Sequence, residues 1–68
     1  MNTTRIGKFE MLQIVNEFDA TLIRLYGVNM RDAAITRQEA LNVYSEVHCA
    51  RKAAEISGHR RGLKLQAA

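Results

Sequence analysis

The chain has 68 residues, a formal net charge of +3, no proline, no tryptophan, four glycines and a single cysteine. A chain of this size buries only about 60% of the surface its unfolded form exposes, too little to enclose a substrate, so the enzyme class is set aside. Cys49 alone excludes an internal disulfide, and an apolar fraction of 47% argues against disorder.

No uncharged apolar run reaches the roughly 18 residues of a membrane span, and no basic-then-apolar leader opens the chain. The expectation is therefore one soluble, cytoplasmic, all-α domain over residues 1–68, with residues 1–4 flexible. Charge is unevenly distributed. Residues 1–47 carry five basic and six acidic side chains, a balance of −1. Residues 48–68 carry Arg51, Lys52, Arg60, Arg61 and Lys64 against Glu55 alone, a balance of +4. Cations gathered at one end point to a polyanionic partner, nucleic acid before an anionic membrane. The plain alternative is a solvated basic tail.

In chain order, residues 5–26 predict a long helix. Met11, Val15, Phe18, Leu22 and Leu25 step by four, three, four and three, the seam of a packed helix. Leu12, Ile14, Ile23 and Tyr26 widen that stripe, and Glu10, Glu17 and Arg24 lie opposite. Gly7 weakens the first turn, so the start falls between Thr4 and Lys8; Gly27 is the expected left-handed stop. The apolar arc is wider than one short helix would cover. Met11, Val15, Phe18, Leu22 and Leu25 are accordingly expected to form a homodimer or partner interface, part of it packing within the protomer.

Residues 28–35 connect, with Asn29 and Asp32 able to cap a short turn. Thr36-Arg-Gln-Glu39 has the form of a capping box opening a second helix, whose apolar positions are Ala40, Leu41, Tyr44 and Val47. Residues 48–50 leave two architectures open. If the helix continues from Arg37 to Ser57, the chain is a two-helix hairpin that pairs into a dimeric four-helix bundle. If it breaks near Cys49, a short helix covers Ala50 to Ser57, Gly58 turns the chain, and a further helix runs from about Arg60 to Leu65. The second architecture is a long N-terminal helix followed by a helix-turn-helix-like unit over residues 36–65.

That second reading rests on "ARKAAEISGHRRGLKL", residues 50–65. The stretch, with its flanks from about residue 39 to 66, resembles the helix-turn-helix of Fis-type DNA-binding domains. These occur in the factor for inversion stimulation and at the C-terminus of bacterial enhancer-binding activators. In that family an Ala-Ala pair sits on a short capped helix, and a glycine follows the second alanine by four residues. Ala53 and Ala54 fall on the pair and Gly58 on the turn glycine. His59, Ser57, Cys49 and Gly62 depart from the family's pattern. The resemblance implies that Arg60, Arg61 and Lys64 contact duplex DNA from a recognition helix with His59 at its mouth. Arg51 and Lys52 would hold phosphates at the start of the supporting helix. Small side chains at 53 and 54 and a glycine at 58 would let the two helices cross closely.

Other chemistry is not indicated. No glycine-rich phosphate loop is present, and Ser45 and Asp19 have no evident partners for nucleophilic work. His48, Cys49 and His59 supply at most three ligands at a spacing that fits no standard zinc pattern. The expectation is a small DNA-binding protein, a transcriptional or accessory regulator, acting as a homodimer without cofactor, metal, membrane or small-molecule substrate. The alternative is a helical protein-interaction module, an adaptor or inhibitor, using the apolar face of the first helix. RNA binding is a third reading, less favoured without an exposed aromatic platform.

Overall fold

A computed structural model describes residues 7–66; the flexible segment expected at 1–4 lies outside them. The fold is all-α: α1 spans Lys8–Tyr26, α2 Arg37–Val47 and α3 Ala50–Arg60, with no strand among the described residues. No helix among these residues is long and apolar enough to cross a membrane.

α1 begins at the late end of the expected range. Gly7 is its N-cap, and the Gly7 carbonyl accepts from the Met11 N–H at 2.9 Å. At the far end Gly27 adopts φ 76°, and its N–H donates to the Ile23 carbonyl at 2.9 Å. Helix ends leave carbonyls without partners, and here residue 66 supplies them. The Gln66 N–H donates to the Leu25 carbonyl at 2.7 Å, and its Nε2 donates to the Tyr26 carbonyl at 3.2 Å.

The connection is tied back to α1 by the Asp19 carboxylate, which accepts from the Met30 N–H at 2.7 Å. Asn29 caps the short turn, its Oδ1 accepting from the Asp32 N–H at 2.7 Å. Asp32 is thus the capped residue and not a second cap. The turn closes through Ala34 in the left-handed region at φ 60°, with the Ile35 N–H donating to the Met30 carbonyl at 2.9 Å.

Thr36 starts α2 as expected, its Oγ1 accepting from the Glu39 N–H at 3.1 Å. The other half of the expected box is replaced, because the Glu39 carboxylate pairs with the Arg61 guanidinium. α2 stops at His48, which takes φ 55°; its N–H reaches the Tyr44 carbonyl at 2.6 Å and its ring meets Tyr44 edge-on at 6.3 Å. Cys49 then returns to extended backbone as the N-cap of α3. The continuous helix of the hairpin alternative is therefore not adopted. A left-handed residue at 48 reverses the chain without glycine or proline, which histidine tolerates better than most side chains.

The chain after the connection is thus α2, a turn at His48–Cys49, and α3. The turn placed at Gly58 and the recognition helix placed over 60–65 are corrected. Gly58 lies inside α3 and is buried. The helix stops two residues later at Arg60, with Arg61 as its C-cap and Gly62 beyond it at φ 75°. The Gly62 N–H donates to the His59 carbonyl at 3.0 Å and the Leu63 N–H to the Gly58 carbonyl at 2.9 Å, the pairing of a Schellman stop.

The core consists of Phe18, Leu22 and Tyr26 from α1, Ile35 from the connection, Ala40 and Val43 from α2, and Ala53 and Ala54 from α3. α1 packs chiefly on α3. Phe18 and Leu22 are 0% exposed. This corrects their place in the expected dimer interface: the seam of α1 is consumed inside the protomer, leaving Met11, Val15 and Leu25 partly covered at its margins. Burying a side chain of that size is worth about 2–3 kcal/mol, so the protomer claims it first.

Candidate nucleic-acid interface

α3 has two unlike sides. Its inner side carries Ala50, Ala53, Ala54, Ser57 and Gly58, all buried. Such small groups let its backbone lie close against α1, and not against a following recognition helix as the resemblance implied. Tyr26 shows how close. Its ring lies against Gly58, and its hydroxyl donates to the Glu55 carbonyl at 2.7 Å. Burial, with the Glu55 charge second, raises the Tyr26 pKa above its ordinary value.

The outer side of α3 presents Arg51, Lys52, Glu55, His59 and Arg60 to solvent, with Ile56 half-buried among them. Beyond the helix, Leu63 folds back on the core and Gln66 is fastened to α1, so Lys64 lies on a segment held at both ends. A groove of about 800 Å³ runs along this side. Val47, Ile56, Leu63 and Leu65 form its apolar part, and Lys52, His59 and Arg60 line its polar part with Glu55.

The six expected DNA contacts separate into two groups. Lys52, His59, Arg60 and Lys64 are exposed and have no ion-pair partner among the described residues. Arg51 and Arg61 are engaged. The Arg51 Nε lies 2.9 Å from the Glu17 carboxylate on α1, and Arg61 pairs with Glu39 on α2. Both pairs are solvent-accessible, so each contributes little to stability and can exchange for another anion. Arg60 and His59 sit in the last turn of α3, where the helix dipole favours positive charge. Arg51 and Lys52 sit at the opposite end, where it does not. That end has no acidic residue in its first turn and no side-chain cap.

One cation was missed in the sequence. Arg24, in the last turn of α1, borders a shallow groove with Arg51, Lys52 and Cys49. It belongs to the charge-balanced part of the chain, and only the packing of α1 on α3 brings it to the basic end. Cys49 itself is exposed. Among the described residues no group of three or more histidine, cysteine, aspartate or glutamate side chains is placed to hold a metal ion. Comparison with protein-family models, curated proteins and solved structures gives no match, so function is argued from the geometry alone.

Proposed function

We propose that the chain binds duplex DNA through the outer side of α3 and the segment after it, in the manner of a small accessory or regulatory protein. The observation that carries this reading is the pair of exposed, unpaired cations Lys52 and Arg60 with His59 along one groove, and Lys64 on the anchored segment that follows. Phosphates would meet Lys52, Arg60 and Lys64 directly. The uncapped start of α3 adds backbone N–H groups beside Arg24, Arg51 and Lys52, an arrangement that a phosphate oxygen would satisfy.

The test is fluorescence anisotropy on random duplex DNA at low and moderate salt, with the Lys52→Ala/Arg60→Ala double variant alongside. Neither side chain supports the core, so the variant should fold as the parent does. Binding should fall by roughly an order of magnitude or more, as expected for the loss of two phosphate contacts. Binding that ignores both salt and the double substitution would end the proposal.

A second reading is favoured by the apolar part of the same groove, Val47, Ile56, Leu63 and Leu65. Leu65 is 65% exposed, which a purely phosphate-binding surface does not need. The protein would then grip an apolar, acidic segment of another protein. Leu65→Ala separates the two: it should leave DNA affinity within about twofold and would weaken a protein contact far more.

A further inference from the structure

α1 has a second apolar stripe, on the side away from the core. Phe9, Leu12, Asn16, Ala20 and Ile23 are all exposed. Phe9 is 73% exposed, Leu12 51% and Ile23 49%. With Leu65 these are all the large exposed apolar side chains among the described residues, so three of four stand on one line of one helix. Contiguous apolar surface of this kind marks an interaction site, and a domain this small gains most from a second subunit.

The stripe is laid out symmetrically. Its steps are three, four, four and three, with Asn16 at the centre; Leu12 and Ala20 lie four residues to either side, Phe9 and Ile23 seven. A carboxamide both donates and accepts hydrogen bonds, so asparagine at a two-fold axis can pair with its own copy. We infer that α1 forms an antiparallel two-fold dimer with α1 of a second copy of this chain, centred on Asn16. Phe9 then meets Ile23 of the second copy, and Leu12 meets its Ala20, large against small.

Charge selects this occupant and this direction. Glu10 and Arg24 stand on the same shoulder of the stripe, six residues before and eight after Asn16. Antiparallel pairing brings like shoulders together. Glu10 thus falls within two residues of Arg24 of the second copy, about 3 Å along the axis, and symmetry makes the pair twice. A parallel arrangement would bring unlike shoulders together, and neither Glu10 nor Arg24 would then meet the other. Glu17 lies on that shoulder near the axis, but its carboxylate is already bonded to Arg51. Asp19, on the other shoulder, is bonded to the Met30 N–H.

This inference uses the face of α1 opposite the core, and stands whether or not α3 meets DNA. The experiment is sedimentation equilibrium up to high-micromolar protein, followed by oxidative cross-linking in a Cys49→Ser background. The protein should be a dimer. Asn16→Cys should cross-link through the two-fold axis. Phe9→Cys should not, because its two copies would be about 21 Å apart along the axis. Glu10→Arg or Arg24→Glu alone should weaken the dimer roughly tenfold, and the two together should restore it. All four sites are exposed in the protomer, so helicity by circular dichroism should be unchanged. A monomer throughout, or cross-linking at position 9, overturns the inference.

Discussion

The ring of Tyr26 occupies the space that a side chain on residue 58 would need. A Cβ built on Gly58 would lie 2.7 Å from the tyrosine Cδ2 and closer still to Cε2 and Cζ. Two effects oppose each other in Gly58→Ala. Helix propensity favours alanine by about 1 kcal/mol, while forcing a methyl into a filled core typically costs about 1–3 kcal/mol or more. At these distances the clash wins. We expect Gly58→Ala to lower unfolding free energy by about 2 kcal/mol in urea titration. A gain in stability would mean that α3 does not lie this close to α1.

The same tyrosine predicts a response to alkali. Its folded-state pKa is raised, first by burial and then by Glu55, so folding favours the neutral phenol. That contribution is complete below the unfolded value near 10 and is lost as pH rises through the folded one. Stability measured from about pH 9 to 11 should fall more steeply for the parent chain than for Tyr26→Phe. Equal slopes would mean the phenol is as well solvated folded as unfolded.

Two turns close through left-handed residues that carry a Cβ, Ala34 at φ 60° and His48 at φ 55°. That conformation costs a residue other than glycine about 1–2 kcal/mol. Glycine avoids the cost but returns about 0.4–1 kcal/mol through the freedom of the unfolded chain. Ala34 is exposed, so Ala34→Gly should raise the melting temperature by a few degrees. His48→Gly should gain less, since it also gives up the edge contact with Tyr44. If Ala34→Gly lowers the melting temperature, the turn is not closed in this way.

Ser57 is 1% exposed and its hydroxyl has no hydrogen-bond partner among the described residues. A buried unpaired hydroxyl costs about 1–3 kcal/mol, and alanine is the better helix former. Ser57→Ala should therefore stabilise the protein by about 1 kcal/mol in thermal unfolding followed by circular dichroism. Destabilisation would reveal a partner for Oγ.

Arg51 and Arg61 are held by carboxylates, which makes the salt dependence of DNA binding informative. Lys52, Arg60 and Lys64 alone would give a log–log slope of about −3, from a factor near −0.9 per phosphate neutralised. Glu39→Gln releases Arg61 and should steepen that slope by about one while raising affinity at low salt. A slope unchanged by Glu39→Gln would leave Arg61 outside the interface.

How much was legible follows from which residues act locally. Gly27, Asn29 and Thr36 each decide a helix end or turn through the backbone beside them, and the chain obeys all three. Gly58 and Gly62 could not be told apart that way, because both can end a helix. What separates them is Tyr26, 32 positions before Gly58 in the sequence, whose ring requires a side chain as small as hydrogen at 58. The periodicity of α1 identified an apolar seam but not which protomer buries it. Phe18 and Leu22 go inward because Ala53 and Ala54 leave room for them. Arg24 likewise joins the basic end only once α1 and α3 are packed.

The link from Gln66 to the end of α1 bears on motion as well as on shape. Fraying segments exchange their amide hydrogens almost freely, whereas a bonded amide must wait for an opening event. The Gln66 N–H, bonded to the Leu25 carbonyl, should exchange slowly beside faster Lys64 and Leu65 amides. Lys64 would then meet a partner from a loop already anchored at both ends, with little ordering left to do on contact.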